Sequence, residues 1–245
     1  MYSELEGPDG SPDVVCLHGG IGTGRYHWSR QIPALDDAYR VHLPDLPGHG
    51  ATPLEPGAPY SQPQLTDAVE KYVSELQGPI HVVGFSMGGH TALDLAARRP
   101  ELFASLTLIG VAIRDHEGLD GWRERFAPDR LEEVFPMWVR VLSKLHAPLG
   151  GADAWRDVCR RDSSGDLGVR ADLDALAKLS CPVMLVRGDR DPVAEPSQYA
   201  ELRELWPDAE EFVVPGGGHD VQLTRFRLVR PGVRDFLDRA AASAS

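Results

Sequence analysis

The sequence is 245 residues long, and its 42% hydrophobic and 25% charged residues are ordinary proportions for a soluble globular protein. The formal net charge of −12 argues against a nucleic-acid-binding or anionic-membrane-binding function. No apolar stretch approaches the roughly 18–20 residues needed to span a bilayer, and no signal peptide is visible. We therefore expect a cytoplasmic protein without nucleic-acid or membrane partners, acting on a small-molecule substrate.

The cysteines and histidines give little support for a metal or a disulfide. Cys16 and Cys181 lie in apolar runs and are expected to be buried thiols, and the third cysteine is Cys159. Neither the cysteines nor any pair of histidines has the spacing of metal ligands. We expect no metal site and no cofactor, and the oligomeric state is left open.

Short, continuously apolar runs alternate with segments of helical periodicity along the chain. The runs are residues 13–17, 39–43, 80–84, 104–110, 182–188 and 210–215. Runs this short and this apolar are typical of strands in a parallel sheet that is covered by helices on both faces. The sequence therefore predicts a single α/β domain over residues 1–245, with a doubly wound, mostly parallel sheet flanked by helices.

A segment from about residue 112 to 175 contains no convincing strand and divides the predicted core into residues 1–111 and 176–245. Within it, "DRLEEVFPMWVRVLSKLH" places apolar side chains on one helical stripe, which Pro136 is expected to kink or split. We interpret the segment as a helical lid over the carboxyl edge of the sheet. The stripe is predicted to run through Leu131, Val134, Phe135, Trp138, Leu142 and Leu145. Most of its aromatic rings are expected to pack within the lid, with Phe135 and Trp138 as candidates for the substrate pocket.

The stretch "VVGFSMGGHT" places Ser86 between Gly84 and Gly88, where a predicted strand meets a predicted helix. A Gly-x-Ser-x-Gly at such a junction is a sharp turn that exposes the serine hydroxyl at the edge of the sheet. The next N–H, that of Met87, opens the helix, so it is a candidate donor to an anion formed at the serine. We predict that Ser86 is a nucleophile rather than part of a plain turn.

A serine hydroxyl needs a base to take its proton and an acid to orient that base. In α/β folds with this turn, the acid and then the histidine come from loops at the carboxyl ends of later strands. The loop "GDRDPV" supplies Asp191, with Asp189 as a rival that is assigned to shaping the turn because it lies nearer the strand. The loop "GGGHD" supplies His219. The predicted triad is therefore Ser86, His219 and Asp191.

The stretch "CLHGGIGTGRYHW" follows the first predicted strand and offers a second N–H donor for an anion. Gly20 is the preferred donor and Ile21 the second choice. These glycines lack the G-x-G-x-x-G frame of a dinucleotide site. Ile21 and His90, the latter on the helix after the serine, are candidates for the pocket wall. Asp45 and His49 in "DLPGHG" are expected to brace their loop rather than to catalyse.

Five stretches in this order resemble the α/β-hydrolase family: "LHGGIGTGRYHW", "VHLPDLPGHG", "VVGFSMGGHTAL", "LVRGDRDPV" and "GGGHD". The resemblance covers nearly the whole chain outside the predicted lid. It is strongest to the small, cofactor-free esterases, lactonases and haloperoxidase-like members. The chain departs from the family at the start, where only about a dozen residues precede the first predicted core strand and the family usually has a β-hairpin. We therefore expect a trimmed sheet.

The resemblance implies a serine hydrolase that cleaves an ester, thioester or lactone through an acyl-enzyme. Three alternatives stay open from the sequence. The first is a non-hydrolytic or C–C bond-cleaving enzyme on the same triad, for which simple esters would be poor substrates. The second is a ligand-binding receptor on a hydrolase scaffold, which the presence of all three triad candidates disfavours. The third is an amide or epoxide hydrolase, which is disfavoured for epoxides because the nucleophile is a serine rather than an aspartate. The substrate itself is not encoded in these motifs.

Overall fold

The computed structural model describes residues 1–164 and 167–243, and within these ranges seven strands form one sheet in the order β1-β3-β2-β4-β5-β6-β7. Every neighbouring pair is parallel except β1 and β3, which are antiparallel. The strands are β1 (Ser3–Glu6), β2 (Asp13–Leu17), β3 (Arg40–Pro44), β4 (Ile80–Phe85), β5 (Phe103–Ile109), β6 (Val183–Gly188) and β7 (Glu210–Val214). The predicted mostly parallel, doubly wound sheet is confirmed.

Helices lie on both faces of the sheet, as the apolar runs require. Because successive residues of a strand point to opposite faces, Val15 and Leu17 of β2 pack with α2, α3 and α9, whereas Val14 and Cys16 pack with α1 and α11. The helices in the described ranges are α1 (Gly24–Trp28), α2 (Gln62–Val73), α3 (Met87–Arg98), α4 (Glu117–Glu124), α5 (Pro128–Val134), α6 (Pro136–His146), α7 (Ala154–Ser163), α8 (Leu173–Leu176), α9 (Pro196–Leu205), α10 (Val221–Thr224) and α11 (Phe226–Ser243). None of them is long and apolar enough to cross a membrane.

The first strand, β1, was not predicted from the sequence. It pairs with β3 from Ser3 opposite Pro44 to Glu6 opposite Val41, at the edge of the sheet. Its four residues include two glutamates and none is fully buried, so the strand lacks the apolar run by which the central strands were recognised. A single antiparallel strand therefore precedes β2 where a β-hairpin is usual in the family that the sequence resembles.

Between β5 and β6 the chain forms α4 to α8, which we call the helical insertion. Pro136 splits the predicted long helix into α5 and α6, as expected. Leu131 and Leu142 are fully buried, but Val134 and Phe135 are 44% and 48% exposed, so the predicted continuous apolar stripe is wrong at these two positions. Phe135 has φ −130° and ψ +53°, so the first helix ends there and the stripe does not continue in register into α6.

All three cysteines are free thiols. Cys16 and Cys159 are buried, and Cys181 is half-buried rather than fully buried as the sequence suggested. Cys181 precedes β6, which begins at Val183, so it lies outside the covered part of the sheet.

Candidate active site

The turn between β4 and α3 holds Ser86 in a conformation that few residues other than glycine adopt, with φ at +49° and ψ at −118°. The turn is so tight that a Cβ at Gly84 would lie 2.7 Å from the Cα of Gly89. A Cβ at Gly88 would lie 2.5 Å from the backbone of Leu17. Both glycines are therefore needed for the close approach of backbone to backbone that places the serine at the carboxyl edge of the sheet.

The structure brings Ser86, His219 and Asp191 together from three separate strand ends. Nε2 of His219 lies 2.9 Å from Oγ of Ser86, and its Nδ1 lies 3.0 Å from each carboxylate oxygen of Asp191. His219 and Asp191 are only 4% and 9% exposed. With Nδ1 donating to the carboxylate, Nε2 of a neutral ring is left as an acceptor facing the serine hydroxyl. The three predicted residues therefore have the hydrogen-bond order of a serine nucleophile, a base and an orienting acid.

The carboxylate of Asp191 is ionised although it is buried. Burial by itself raises the pKa of Asp191, but His219 and the N–H groups of Val193 and Ala194 outweigh that effect and lower it below its ordinary value. The Val193 N–H donates to Oδ1 at 2.8 Å. The rival Asp189 is part of the turn after β6, where its own N–H donates to the Val214 carbonyl. Of the two predicted acids, Asp191 is the one in contact with His219.

Two backbone N–H groups border the cavity beside Ser86, and neither has a hydrogen-bond partner in the described part of the chain. One belongs to Met87, the first residue of α3, where the positive end of the helix dipole adds to its attraction for an anion. The other belongs to Gly20. The second choice, Ile21, donates its N–H to the carboxylate of Asp162, so that N–H is not free for an oxyanion. Within the described residues, Gly20 and Met87 thus each present an unpaired N–H at the cavity that Ser86 lines, and Gly20 remains the preferred second donor.

A cavity of about 340 Å³ opens above Ser86, between the sheet edge and the insertion. All four residues suggested for the pocket border it: Ile21, His90, Phe135 and Trp138. The cavity wall is largely apolar and aromatic, and it includes Tyr26, Phe85, Trp122 and Phe126, which the sequence analysis did not assign to it.

The ring of Trp122 on α4 lies edge-on to His219, with the ring centres 4.9 Å apart. Phe85, next to the serine, packs against His219 at the same centre-to-centre distance. His219 is therefore enclosed by two aromatic rings, one from the sheet and one from the insertion, which limits the access of water to the imidazole. No local motif marks Trp122, because its position next to His219 depends on how the insertion folds back.

Two polar residues of the insertion, Asp162 on α7 and His146 at the end of α6, are also missing from the sequence predictions. Asp162 borders the cavity and His146 is fully buried beside it. Asp45 accepts hydrogen bonds from the N–H groups of Gly24 and Ala51, so it braces its loop as expected. His49 does so as well, but through Nε2 at 3.0 Å from Asp162 of the insertion.

Within residues 1–164 and 167–243, no group of three or more His, Cys, Asp or Glu side chains is arranged to hold a metal ion. Four histidines in and near the cavity instead make hydrogen bonds with backbone groups: His18, His27, His90 and His146. His27, for example, accepts from the Gly19 N–H, and burial, followed by nearby histidines, lowers the pKa of His27 to about 3.

Comparison with known proteins places this geometry in a family. A sequence model described as the alpha/beta hydrolase family matches residues 14–230. The chain belongs to the alpha/beta hydrolase family. A pimeloyl-[acyl-carrier protein] methyl ester esterase of Aeromonas hydrophila is 29% identical over 85% of the chain and 88% of its own length. An esterase of Mycobacterium tuberculosis is 30% identical over 96% of the chain and 86% of its own length.

Solved structures of other alpha/beta hydrolases share the architecture. A meta-cleavage product hydrolase of Pseudomonas fluorescens superposes with a TM-score of 0.78, covering 97% of this chain and 94% of that one, at 22% identity. At that level of identity the likeness concerns the fold alone. The chemistry therefore has to be argued from the site.

Proposed function

We propose that this chain is a serine hydrolase that cleaves a carboxylic ester, thioester or lactone of a small molecule through an acyl-enzyme. That it is an ester hydrolase in general follows from its family and from the esterases among its relatives. The finer proposal, with named residues and steps, is supported chiefly by the continuous hydrogen-bond chain from Ser86 through His219 to the ionised Asp191 beside two free N–H groups.

In the first half of the proposed reaction, Oγ of Ser86 attacks the substrate carbonyl carbon while Nε2 of His219 takes the hydroxyl proton. Asp191 holds the ring with Nδ1 protonated and stabilises the imidazolium that forms. The negative charge on the carbonyl oxygen is accepted by the N–H groups of Met87 and Gly20. Loss of one such donor typically lowers kcat by about 10²- to 10³-fold.

In the second half, His219 gives its proton to the departing alcohol or thiol, and the carbonyl re-forms as a Ser86 acyl-enzyme. Water then enters, His219 takes a proton from it, and the hydroxide attacks the acyl carbon. The second tetrahedral species collapses, the proton returns to Oγ, and the carboxylic acid leaves. These steps require only the chain, the substrate and one water molecule.

The cavity suggests the kind of acyl group. A volume of about 340 Å³ with an aromatic and aliphatic wall suits a small to medium apolar group more than a polymer. We propose that the insertion acts as a lid, because its rings form the wall opposite the sheet. The methyl ester named for one group of relatives makes esters with a small alcohol a reasonable first choice.

The test combines labelling by a fluorophosphonate with turnover of a panel of p-nitrophenyl esters of increasing acyl length, methyl esters, thioesters and lactones. We expect the wild type to label and to cleave at least one ester, and Ser86→Ala to do neither. Ser105→Ala is the matched control. This serine lies on the neighbouring strand β5, and its hydroxyl is hydrogen-bonded to His81 and does not line the cavity.

Two results would argue against the proposal. Labelling without turnover of any ester, thioester or lactone would favour the C–C bond-cleaving alternative. Absence of labelling in a folded wild-type protein would show that Ser86 is not an activated nucleophile at all.

A further inference from the structure

The loop between β2 and α1 carries the proposed oxyanion donor and is rich in glycine, with Gly19, Gly20 and Gly22 within four residues. Glycine has more backbone conformations available than any other residue. A donor N–H on such a loop points in one direction only if neighbouring groups fix the peptides around it. In the structure, each of four successive peptide groups of this loop is held by one hydrogen bond to a neighbouring side chain.

The first two contacts come from the sheet half of the molecule. The Gly19 N–H donates to Nδ1 of His27 at 3.1 Å, and the Gly19 carbonyl lies 2.8 Å from Nδ1 of His18. The other nitrogen of His18 accepts from the Leu46 N–H, so Nδ1 is the side that donates. Because the C=O and N–H of a trans peptide point in opposite directions, this contact turns the Gly20 N–H away from His18.

The next two contacts come from the helical insertion and meet at Ile21. Its N–H donates to the carboxylate of Asp162 on α7. Its carbonyl lies 3.0 Å from Nε2 of His146, at the end of α6. The Nδ1 of His146 accepts from the Gly50 N–H, which leaves Nε2 as the donor to Ile21. These partners are 141 and 125 residues away from Ile21 in the sequence.

The side chain of Ile21 is held by the same part of the molecule. It is 1% exposed and packs in a cluster with Leu131, Leu142, Trp155 and Cys159, all from the insertion. Its φ is +52°, a conformation that is rare for a β-branched residue and that persists only where the surroundings enforce it. The N–H, the carbonyl and the side chain of Ile21 are thus all fixed by contacts with the insertion.

Asp162 is well suited to such a role. Its side chain is only 5% exposed, and it also contacts Nε2 of His49 and the hydroxyl of Tyr60. Burial alone would raise the pKa of Asp162, but these contacts, with His49 first, hold it below its ordinary value, so the carboxylate is charged. A buried carboxylate whose partners are fixed makes strong and directional hydrogen bonds.

We propose that Asp162 and His146 are positioning residues through which the insertion assembles the oxyanion hole. By fixing both peptide groups of Ile21, they hold the adjacent Gly20 N–H at the place where the oxyanion forms. The inference rests on the proposed function, because it assigns the machinery of the same reaction. It makes the insertion part of the catalytic apparatus and not only a wall of the substrate pocket.

The main test compares Asp162→Asn with Asp157→Asn. Asp157 lies on the same helix, and its side chain is 68% exposed and pairs with Arg160. With a short p-nitrophenyl ester, we expect Asp162→Asn to lower kcat by about 10- to 100-fold, less than the complete loss of a donor, with KM within about twofold. Asp157→Asn should match the wild type in both constants.

The readout that separates positioning from a merely structural role is the affinity for a trifluoromethyl ketone. Such a ketone forms a tetrahedral adduct with the serine and carries an oxyanion, so its Ki reports on the oxyanion hole. We expect Ki to rise in Asp162→Asn by the same factor by which kcat/KM falls. Thermal unfolding of both variants shows whether each is folded at the assay temperature.

His146 supplies a second and independent pair of variants. In His146→Gln the side-chain amide retains an N–H donor for the Ile21 carbonyl, whereas His146→Phe removes it. We expect His146→Gln to keep kcat within about fivefold of the wild type and His146→Phe to lose at least about tenfold with KM unchanged. This pair keeps the proposal testable even where Asp162→Asn does not fold.

The proposal is wrong if folded Asp162→Asn keeps kcat within about twofold of Asp157→Asn, or if its kcat falls while the ketone Ki stays constant. It is equally wrong if His146→Gln and His146→Phe are indistinguishable. Failure of the proposed function is seen separately, in a wild type that cleaves no ester, thioester or lactone. If that wild type still labels with the fluorophosphonate, Ser86 is reactive and the ketone Ki values of the variants still report on the loop.

Discussion

The carboxyl edge of the sheet and the helical insertion face the same cavity but are organised differently. At the sheet edge, Ser86, Asp191 and His219 follow directly after β4, β6 and β7, so parallel strands bring their ends together. In the insertion, the residues that reach the cavity lie on α4, α6 and α7 and in the segments that connect or follow the helices, and no sheet register fixes them. The sheet edge carries the proposed reacting groups, and the insertion supplies the enclosing rings and the contacts with Ile21.

A side chain that follows the end of a parallel strand is positioned by the sequence around it, because the sheet brings the strand ends together. A side chain on a helix of the insertion is positioned only when the whole insertion has packed. This difference predicts how substitutions should behave in the two regions. Changes at the sheet edge should remove activity without unfolding the protein. Changes inside the insertion should lower stability where they remove packing, and should lower activity in a folded protein only where they remove a contact with Ile21.

The largest effect is expected at Asp191. Asp191→Asn should lower kcat by about 10⁴-fold, because the amide cannot hold His219 with Nδ1 protonated and Nε2 free to accept. Asp189→Asn, two residues earlier on the same loop, should change kcat by no more than a few-fold. Steady-state kinetics on the best ester measure both. A large loss in Asp189→Asn with little in Asp191→Asn would reverse the assignment of the acid.

A smaller effect is expected from packing within the insertion. Leu142 is fully buried in the cluster around Ile21, and Leu142→Ala should lower the free energy of unfolding by about 2–5 kcal/mol. Met137, on the outer side of the same helix, is 69% exposed. Met137→Ala should therefore change the free energy of unfolding by less than about 0.5 kcal/mol. Urea unfolding followed by circular dichroism compares the two. Similar values for both would mean that the insertion is not packed as described.

For one group and one pH unit, the smallest effect is the pH dependence of stability. Burial, as the largest cause, lowers the pKa of His27 and of His90 to about 3 and that of His146 to about 4. The unfolded chain binds protons at these histidines from about pH 6.5 downwards, whereas the folded chain does not. Stability should therefore fall as the pH drops from about 6.5 towards 4, by about 1.4 kcal/mol per pH unit for each histidine.

Urea unfolding at pH 7.5, 6 and 5 measures this dependence. His146→Gln serves as the comparison, because it removes one of the histidines whose pKa is lowered by folding and should make the dependence shallower. A free energy of unfolding that is constant between pH 7.5 and 5 would contradict the prediction.

The first strand illustrates where sequence patterns stop. β2 and β4 are mostly apolar because both of their faces are covered, and their bounds were predicted to within one residue. β1 lies at the edge of the sheet, and a polar sequence such as "SELE" is equally common in a loop. Only its pairing with β3 makes it a strand, and that partner is about forty residues away.

The sequence by itself determined the residues of the proposed nucleophile, acid and base, and the preferred oxyanion donors. A strand followed by a turn with a fixed residue pattern is local, and the parallel sheet then brings the ends of β4, β6 and β7 together without further information. Only the tertiary structure decided what surrounds them. Asp162 and His146 carry no motif, and their roles come from contacts with Ile21 across more than a hundred residues of chain, made by helices whose packing no local pattern specifies.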